Sequence, residues 1–373
     1  MNNYKINRKD FVYYIGIILL SLLNWEYYSK LLEFPNIIKS FFTIISLVCF
    51  SYVILENKYS PRKLIRIFMI VFLFLLSSIL SREYFLLLSA LAVISAKNIE
   101  KNKIIKILLF INTAFIFFHI LMYFAGIVIN KKNYVTYLNG ISRQTLNLRH
   151  PNYLAAVLFW NLASYTYISK NNKIIKIVVS LTVLIIMYIL TYSRTTVFLF
   201  TLLIFIIVFE DFFKNKIKIV KIFTILIIFM QIILACNCNT QDIFRNKSLY
   251  SLNEILSQRL YLNIIAWGRY GITLFGQLLL NNYKETIIID SFYISCCVQY
   301  GIINLCMILI AYMKLSNRNV KQILYATLTL LAGLTERYIL FTSISFPMLF
   351  FSECILKDKE EKNDRKENSF FNG

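Results

Sequence analysis

Apolar residues run in long blocks from about position 11 to position 355, and charge returns only in short bursts between them. A hydrocarbon core about 30 Å thick takes about 20 apolar residues per helix, and the blocks hold roughly that number each. The pattern therefore predicts membrane-spanning helices near 11–29, 36–55, 64–81, 83–96, 104–129, 151–169, 174–192, 195–213, 217–235, 291–312, 320–335 and 338–355. The expected fold is all-α: one polytopic membrane domain over 1–355, with about 12 transmembrane helices. Two long connectors stand out, about 130–150 and 236–290. The second is expected to form a large extracytoplasmic loop, and residues 356–373 a charged cytoplasmic tail.

Composition sharpens this picture. The chain has 373 residues, 58% of them apolar and 16% charged, where ordinary globular chains carry about 25% charge. A formal net charge of +21 would suit a nucleic-acid partner in a soluble protein. Here the positive residues sit in connectors between apolar runs, as expected on the cytoplasmic side of a membrane, so no nucleic acid is implied. Lysine dominates the connectors that this rule places inside, which puts both termini in the cytoplasm. Deleting the short block 83–96 would move the lysines of 97–106 outside, so parity keeps it.

Outside, arginine recurs: Arg82, Arg143, Arg149, Arg194, Arg245, Arg259, Arg269 and Arg337. Topology does not require them there. Cys236 and Cys238 lack a histidine or carboxylate to complete a zinc set, and no metal is expected. No small-residue cleavage site follows the first apolar run, which is read as a retained span. Heavy use of Ile, Lys, Asn, Phe and Tyr points to an AT-rich bacterial genome.

Candidate chemistry gathers on the outer side. In Arg143 to Tyr153, Pro151 suits the first turn of a helix, which sets Arg149 and His150 at its mouth. An arginine fork matches phosphate oxygens, but the same residue can serve as an interfacial anchor. His150 could donate to phosphate or cap the helix. In Tyr192-Ser193-Arg194-Thr195-Thr196, a short turn holds Arg194 near the outer interface. Residues 252–274 read as one amphipathic helix, with Arg259 and Arg269 on its polar face. Asp290 precedes an apolar run and follows Ile287-Ile288-Ile289; it can cap that helix or act as a base. Glu336 and Arg337 share a tight outer turn and could pair with each other. Glu26 and His119 are ionisable groups in or near spans, and His119 reads as a packed histidine.

Taken together, five stretches resemble, in order, the bacterial polysaccharide polymerase (Wzy) and O-antigen ligase family. They are Arg143 to Leu154; Tyr192 to Thr195; Gln258-Arg259-Leu260 through Leu274-Phe275-Gly276-Gln277; Asp290-Ser291-Phe292-Tyr293 through Gln299-Tyr300-Gly301-Ile302; and Gly333 to Arg337. The set covers nearly the whole chain and is most similar to capsular or exopolysaccharide repeat-unit polymerases of Gram-positive bacteria. Two positions depart from the family pattern: Leu278 stands where a second glycine is usual, and Phe292 neighbours the motif tyrosine. Both touch the acceptor pocket more than the fold.

The resemblance implies a membrane glycosyltransferase at the outer face of the bacterial cytoplasmic membrane. It would polymerise oligosaccharide repeat units carried on undecaprenyl diphosphate, without ATP, metal or cofactor. Donor and acceptor glycans on that lipid, membrane lipids, a flippase and a chain-length regulator are the implied partners. Asp290, Arg259, His150 and Glu336 become the catalytic candidates. Arg143, Arg149, Arg194, Arg259, Arg269 and Tyr293 become the diphosphate-binding candidates. A ligase, joining glycan to another acceptor, is the nearest rival; ligases commonly carry histidine where Asp290 stands. A flippase or transporter would favour charges in a central cavity and Pro/Gly-broken spans, whereas this chain has 4 Pro and 9 Gly.

Overall fold

The computed structural model describes residues 7–127, 134–136, 142–256, 258–279 and 289–355. Ile287, Ile288 and the tail 356–373 lie outside the described residues. Nine helices lead the chain: α1 (Arg8–Tyr28), α2 (Asn36–Glu56), α3 (Pro61–Ser81), α4 (Phe85–Ser95), α5 (Lys101–Phe124), α6 (Pro151–Ile168), α7 (Lys173–Thr191), α8 (Arg194–Phe213) and α9 (Ile217–Asn237). Between α5 and α6, β1 (Tyr134–Thr136) pairs antiparallel with β2 (Ser142–Gln144), Val135 opposite Arg143. Three short helices follow, α10 (Thr240–Arg245), α11 (Lys247–Ile255) and α12 (Arg259–Tyr270). The remainder holds α13 (Phe292–Ser295), a π-turn (Cys296–Tyr300), α14 (Ile302–Lys314), α15 (Val320–Ala332) and α16 (Ser352–Ile355). The architecture is all-α and membrane-embedded in character.

Among the described residues six helices are long and apolar enough to cross a membrane: α2, α3, α5, α7, α8 and α9. These six form the periphery. On α2 the exposed Ile37, Phe41, Ile44, Val48 and Leu55 recur at helical spacing, as a lipid-facing stripe should. The centre is more polar. Ser21 of α1, Ser95 of α4, and Ser164 and Thr166 of α6 are buried there, and each hydroxyl donates to a carbonyl one turn back in its own helix. Small hydroxyl residues suit helix contacts inside a membrane, because they satisfy themselves while backbones approach.

The tenth expected span is not one helix. Gly301 sits at φ +98°, and a Cβ there would lie 2.5 Å from the Leu274 carbonyl oxygen. The chain breaks at this point because the segment after α12 runs alongside it. The Thr273 N–H donates to Cys297 O at 2.8 Å, Gln277 N–H to Gln299 O at 2.9 Å, and Ile302 N–H to Thr273 O at 3.0 Å. Ser77 Oγ of α3 lies within hydrogen-bonding reach of the Phe275 and Tyr300 carbonyls and accepts from Asn304 Nδ2 at 2.7 Å. Non-helical backbone at membrane depth needs such internal partners.

The twelfth expected span is also irregular. Residues Arg337–Leu340 and Phe346–Phe351 form 3₁₀ turns before α16. The run Thr342-Ser343-Ile344-Ser345-Phe346-Pro347 disfavours a continuous helix, since proline removes a donor and biases its predecessor away from helix. Its polar groups are bound by neighbours: Asn24 Nδ2 donates to Ser343 Oγ, Asn112 Nδ2 to Ser343 O at 3.2 Å, and Ser345 Oγ to Thr329 Oγ1 at 3.2 Å.

The expected amphipathic helix over 252–274 is likewise divided. Gln258 adopts φ +65° between α11 and α12, and the helix ends at Tyr270. Ile243, Leu260 and Ile264 form a small core that joins α10, α11 and α12. Lys221 of α9 is buried; its ammonium donates to Met313 O, Leu315 O and Asn317 Oδ1 at the end of α14.

Candidate functional site

Three elements distant in sequence meet at the C-terminal end of α15. Gln258, in its left-handed conformation, turns the chain so that Arg259, the first residue of α12, enters the protein at only 5% exposure. Asn253 fixes that turn: its carbonyl accepts from Gln258 N at 2.7 Å and its side chain from Tyr261 N at 2.9 Å. At α13, Ser291 is the cap, its Oγ accepting from Ile294 N at 3.4 Å. The capping duty considered for Asp290 thus belongs to its neighbour, and the Asp290 carboxylate is directed elsewhere. After α15 the backbone makes one more turn, with Glu336 N–H donating to Ala332 O at 2.9 Å. Gln231 of α9 ties the two ends together, donating to Leu334 O at 2.7 Å and accepting from Ser291 Oγ at 3.3 Å.

The result is a trio held by one guanidinium. Arg259 Nε donates to Asp290 Oδ2 at 3.1 Å and Nη2 to Glu336 Oε1 at 3.0 Å. Thr195 Oγ1, beside Arg194, adds a donor to the same Glu336 oxygen at 3.4 Å. The side chains of Arg259 and Glu336 are 6% and 8% exposed, that of Asp290 35%. Asp290 is therefore the member of the trio most open to solvent. Burial pushes the Glu336 carboxyl up to about 7; Arg259 opposes this, the Asp290 charge adds to it, and Thr195 opposes it. A buried carboxyl at that position exchanges a proton near neutrality, while its partner faces outward.

His150 borders the trio. Its ring feels the charges of Asp290, Arg143 and Arg259. Burial lowers its pKa, Asp290 opposing and the two arginines assisting. The ring is the N-cap of α6: Nδ1 accepts from Asn152 N–H at 3.1 Å. A neutral ring with Nδ1 accepting carries its proton on Nε2, which makes His150 a donor. Pro151 occupies the first helical position, as expected.

The remaining candidates are placed as follows. Arg149 Nε donates to Ser29 O at 3.1 Å, and its guanidinium lies 4.0 Å from Glu26, which Lys39 pairs at 2.8 Å. Arg143 lies in β2 near His150. Arg194 is exposed at the first residue of α8 and, among the described residues, has no ion pair. Arg269 is exposed in the last turn of α12. With Arg259 and Tyr293 these make up the six diphosphate candidates. Two of them take other duties. Arg259 bridges two acids, and Tyr293 is fully buried with its hydroxyl donating to Leu330 O. Tyr293 also packs on Gly333, where a Cβ would come within 3.1 Å of its oxygen; the tyrosine pins α13 to the end of α15 and does not face the trio's open side.

Glu336 and Arg337, for which mutual pairing was one reading, face different partners. Arg337 Nη1 donates to Gln299 Oε1 at 3.3 Å, and Gln299 Nε2 to Glu83 Oε1 at 3.5 Å. Thr195, Gln231, Glu83 and Gln299 were not singled out from sequence, although Thr195 and Gln299 lie inside the quoted stretches. His119 is a packed histidine, with Nε2 2.8 Å from Ser29 Oγ and Nδ1 3.0 Å from Phe115 O. Among the described residues no group of three His, Cys, Asp or Glu is placed to hold a metal. Compared with models of known families, with curated proteins and with solved structures, the chain finds no match.

Proposed function

We propose that this protein is a polysaccharide polymerase that extends glycans carried on undecaprenyl diphosphate at the outer face of a bacterial cytoplasmic membrane. The observation that carries the reading is the buried Arg259 fork joining Asp290 and Glu336, with neutral His150 beside it. Asp290 takes the proton of the attacking acceptor hydroxyl. A new bond forms from that oxygen to the donor's anomeric carbon, while the bond from that carbon to the diphosphate oxygen breaks. The lipid diphosphate leaves with its electron pair, and outward arginines such as Arg149 and Arg194, with His150 Nε2–H, stabilise its charge. Energy is already stored in the sugar–phosphate bond.

In this reading the chain crosses the membrane twelve times with both ends in the cytoplasm, the tenth and twelfth crossings being broken. The breaks at Gly301 and at 341–351 support a reacting site set between rigid helices.

The test uses the purified full chain in lipid nanodiscs with lipid-linked repeat units from the producing strain. Wild type is expected to build a ladder of lengthened lipid-linked glycans. Asp290→Asn is expected to lose it by about 10²–10⁴-fold, the usual contribution of a general base, with normal abundance. Absence of a ladder from wild type, with translocation of the lipid instead, would sink the proposal in favour of transport. A ladder from Asp290→Asn at the wild-type rate would assign the proton transfer to another group.

A further inference from the structure

Helices α3 and α14 are tied at one end and part at the other. At the tie, Ser77 Oγ of α3 accepts from Asn304 Nδ2 of α14 at 2.7 Å and lies 2.8 Å from the Tyr300 carbonyl. From there α3 leads back to Arg66 and α14 leads on to Lys314, and between them lies a groove of about 340 Å³. Its floor is α4, with Ala90 and Val93, and the irregular segment before α16, with Met348 and Phe351. Small side chains at Ser89, Ala90 and Ala311 help to leave the hollow. Met69 and Ile310 on the two rims are 52% and 54% exposed, whereas Ala90 on the floor is 8%. The groove therefore opens sideways, toward the side where lipid would lie. Along α3 it runs from Arg66 to Phe74, eight residues or about 12 Å.

The lining is hydrocarbon except at one end. Arg66 and Lys314, both exposed, border the groove opposite the Ser77–Asn304 tie. Arg62 and Lys63 stand one turn before Arg66. Among the described residues no carboxylate lines the groove. We infer that this groove is a binding site for one anionic diacyl phospholipid, its phosphate between Arg66 and Lys314 and one acyl chain laid along α4. The inference needs only that the chain is membrane-embedded and does not rest on the polymerase reading. A packed helix does not fit: about 10 Å across, it would need about 900 Å³ over a 12 Å length. A flexible chain fits a narrow apolar slot, and the two cations select the headgroup. Each Lys or Arg beside a membrane surface favours anionic lipid by about fivefold. The pair therefore predicts about 25-fold selectivity over a zwitterionic lipid with the same chains.

The test is photolabelling of the full chain in nanodiscs of phosphatidylcholine. The probes are phosphatidylglycerol and phosphatidylcholine, each with the same diazirine-bearing acyl chain at trace level, and labelled peptides are read by mass spectrometry. Phosphatidylglycerol should label peptides that contain Met69, Ala90 and Met307, about 25-fold more than phosphatidylcholine does. Arg66→Gln and Lys314→Gln should each cut that preference by about fivefold, and the double variant should bring the two lipids near parity. Both side chains are exposed, so these variants keep the packing of the bundle. Arg66→Lys should retain most of the preference, because a compact cation still attracts phosphate. Ala90→Leu fills the floor and should lower labelling by both lipids. Equal labelling by the two lipids in wild type, or a preference unchanged in the double variant, overturns the site. Label that misses these peptides, with Ile310→Cys linking two copies by a disulfide, overturns it in favour of a second copy of the chain. Polymer formation enters none of these readings, so failure of the polymerase proposal leaves them unaffected.

Discussion

Glu336→Gln isolates the energetics of the trio. The substitution keeps shape and hydrogen bonding but removes a titrating group that is 6% exposed. In the folded protein the Glu336 carboxyl titrates at about 7 against an ordinary 4.5. A raised carboxyl pKa means that the folded state holds its proton more tightly than the unfolded one. The resulting stability is fully present below pH 4.5 and is lost as pH rises toward 7. The displacement corresponds to about 3 kcal/mol between pH 4.5 and 8. For a chain of this length that is roughly 3–6 °C in the unfolding midpoint.

His150 works in the opposite sense. Its lowered pKa adds stability that is lost as pH falls below about 6.5, but it does so equally in both proteins and cancels in their difference. Thermal unfolding of detergent-solubilised wild type and Glu336→Gln, followed by helical circular dichroism at pH 5 and pH 8, gives the comparison. Wild type should lose roughly 3–6 °C more than the variant between the two pH values. A variant that keeps the full wild-type drift refutes the assignment of a near-neutral proton to Glu336.

Three further outcomes follow from the geometry. Gly301→Ala puts a Cβ 2.5 Å from Leu274 O at φ +98°, so folded yield by fluorescence-detected gel filtration should collapse; a normal monodisperse peak would show that the break tolerates a side chain. Arg149→Lys keeps a charge but not the fork that reaches Ser29 O and Glu26, and polymer should fall nearly as far as in Arg149→Ala; full rescue by lysine would reduce this residue to a simple interfacial charge. In a cysteine-free background, single cysteines at 170–176 should resist an impermeant maleimide added outside whole cells, whereas one at Ser248 should react; outside labelling of the former breaks the twelve-crossing topology.

The peripheral fold was legible because lipid exposure demands composition. Blocks such as 36–55 and 217–235 are read from hydropathy, and α2 and α9 fall within a few residues of them. The tenth and twelfth segments looked the same in hydropathy, because buried irregular chain is as apolar as a helix. Gly301 and Pro347 were visible in the sequence, but their effect depends on Leu274, Asn24 and Asn112 arriving from elsewhere. The site was legible in part. Charge on the side read as outer singled out Asp290, Arg259 and Glu336, which the structure joins. Their pairing was not legible: a left-handed Gln258 aims Arg259, and Ser291 takes over the cap. Tyr293 entered as a diphosphate candidate through the resemblance alone, and it lies buried with its hydroxyl donating to Leu330 O.

The polar centre and greasy periphery of this bundle bear on how the chain enters a membrane at all. Helices α2, α3, α5, α7, α8 and α9 carry enough apolar residues to partition from a translocon unaided. Helix α1, with Glu26, and α6, with Asn152, Asn161 and Thr166, are less apolar. Partners that cover their polar faces help to hold them. Synthesis would thus set a temporal order: autonomous helices anchor first, and the marginal ones are drawn in from the channel or the interface as later neighbours emerge. Because Asn24 binds Ser343, more than 300 residues downstream, the first helix cannot complete its contacts until nearly the whole chain has been made. Quality-control proteases that recognise loosely held spans would then remove any protein truncated before that segment.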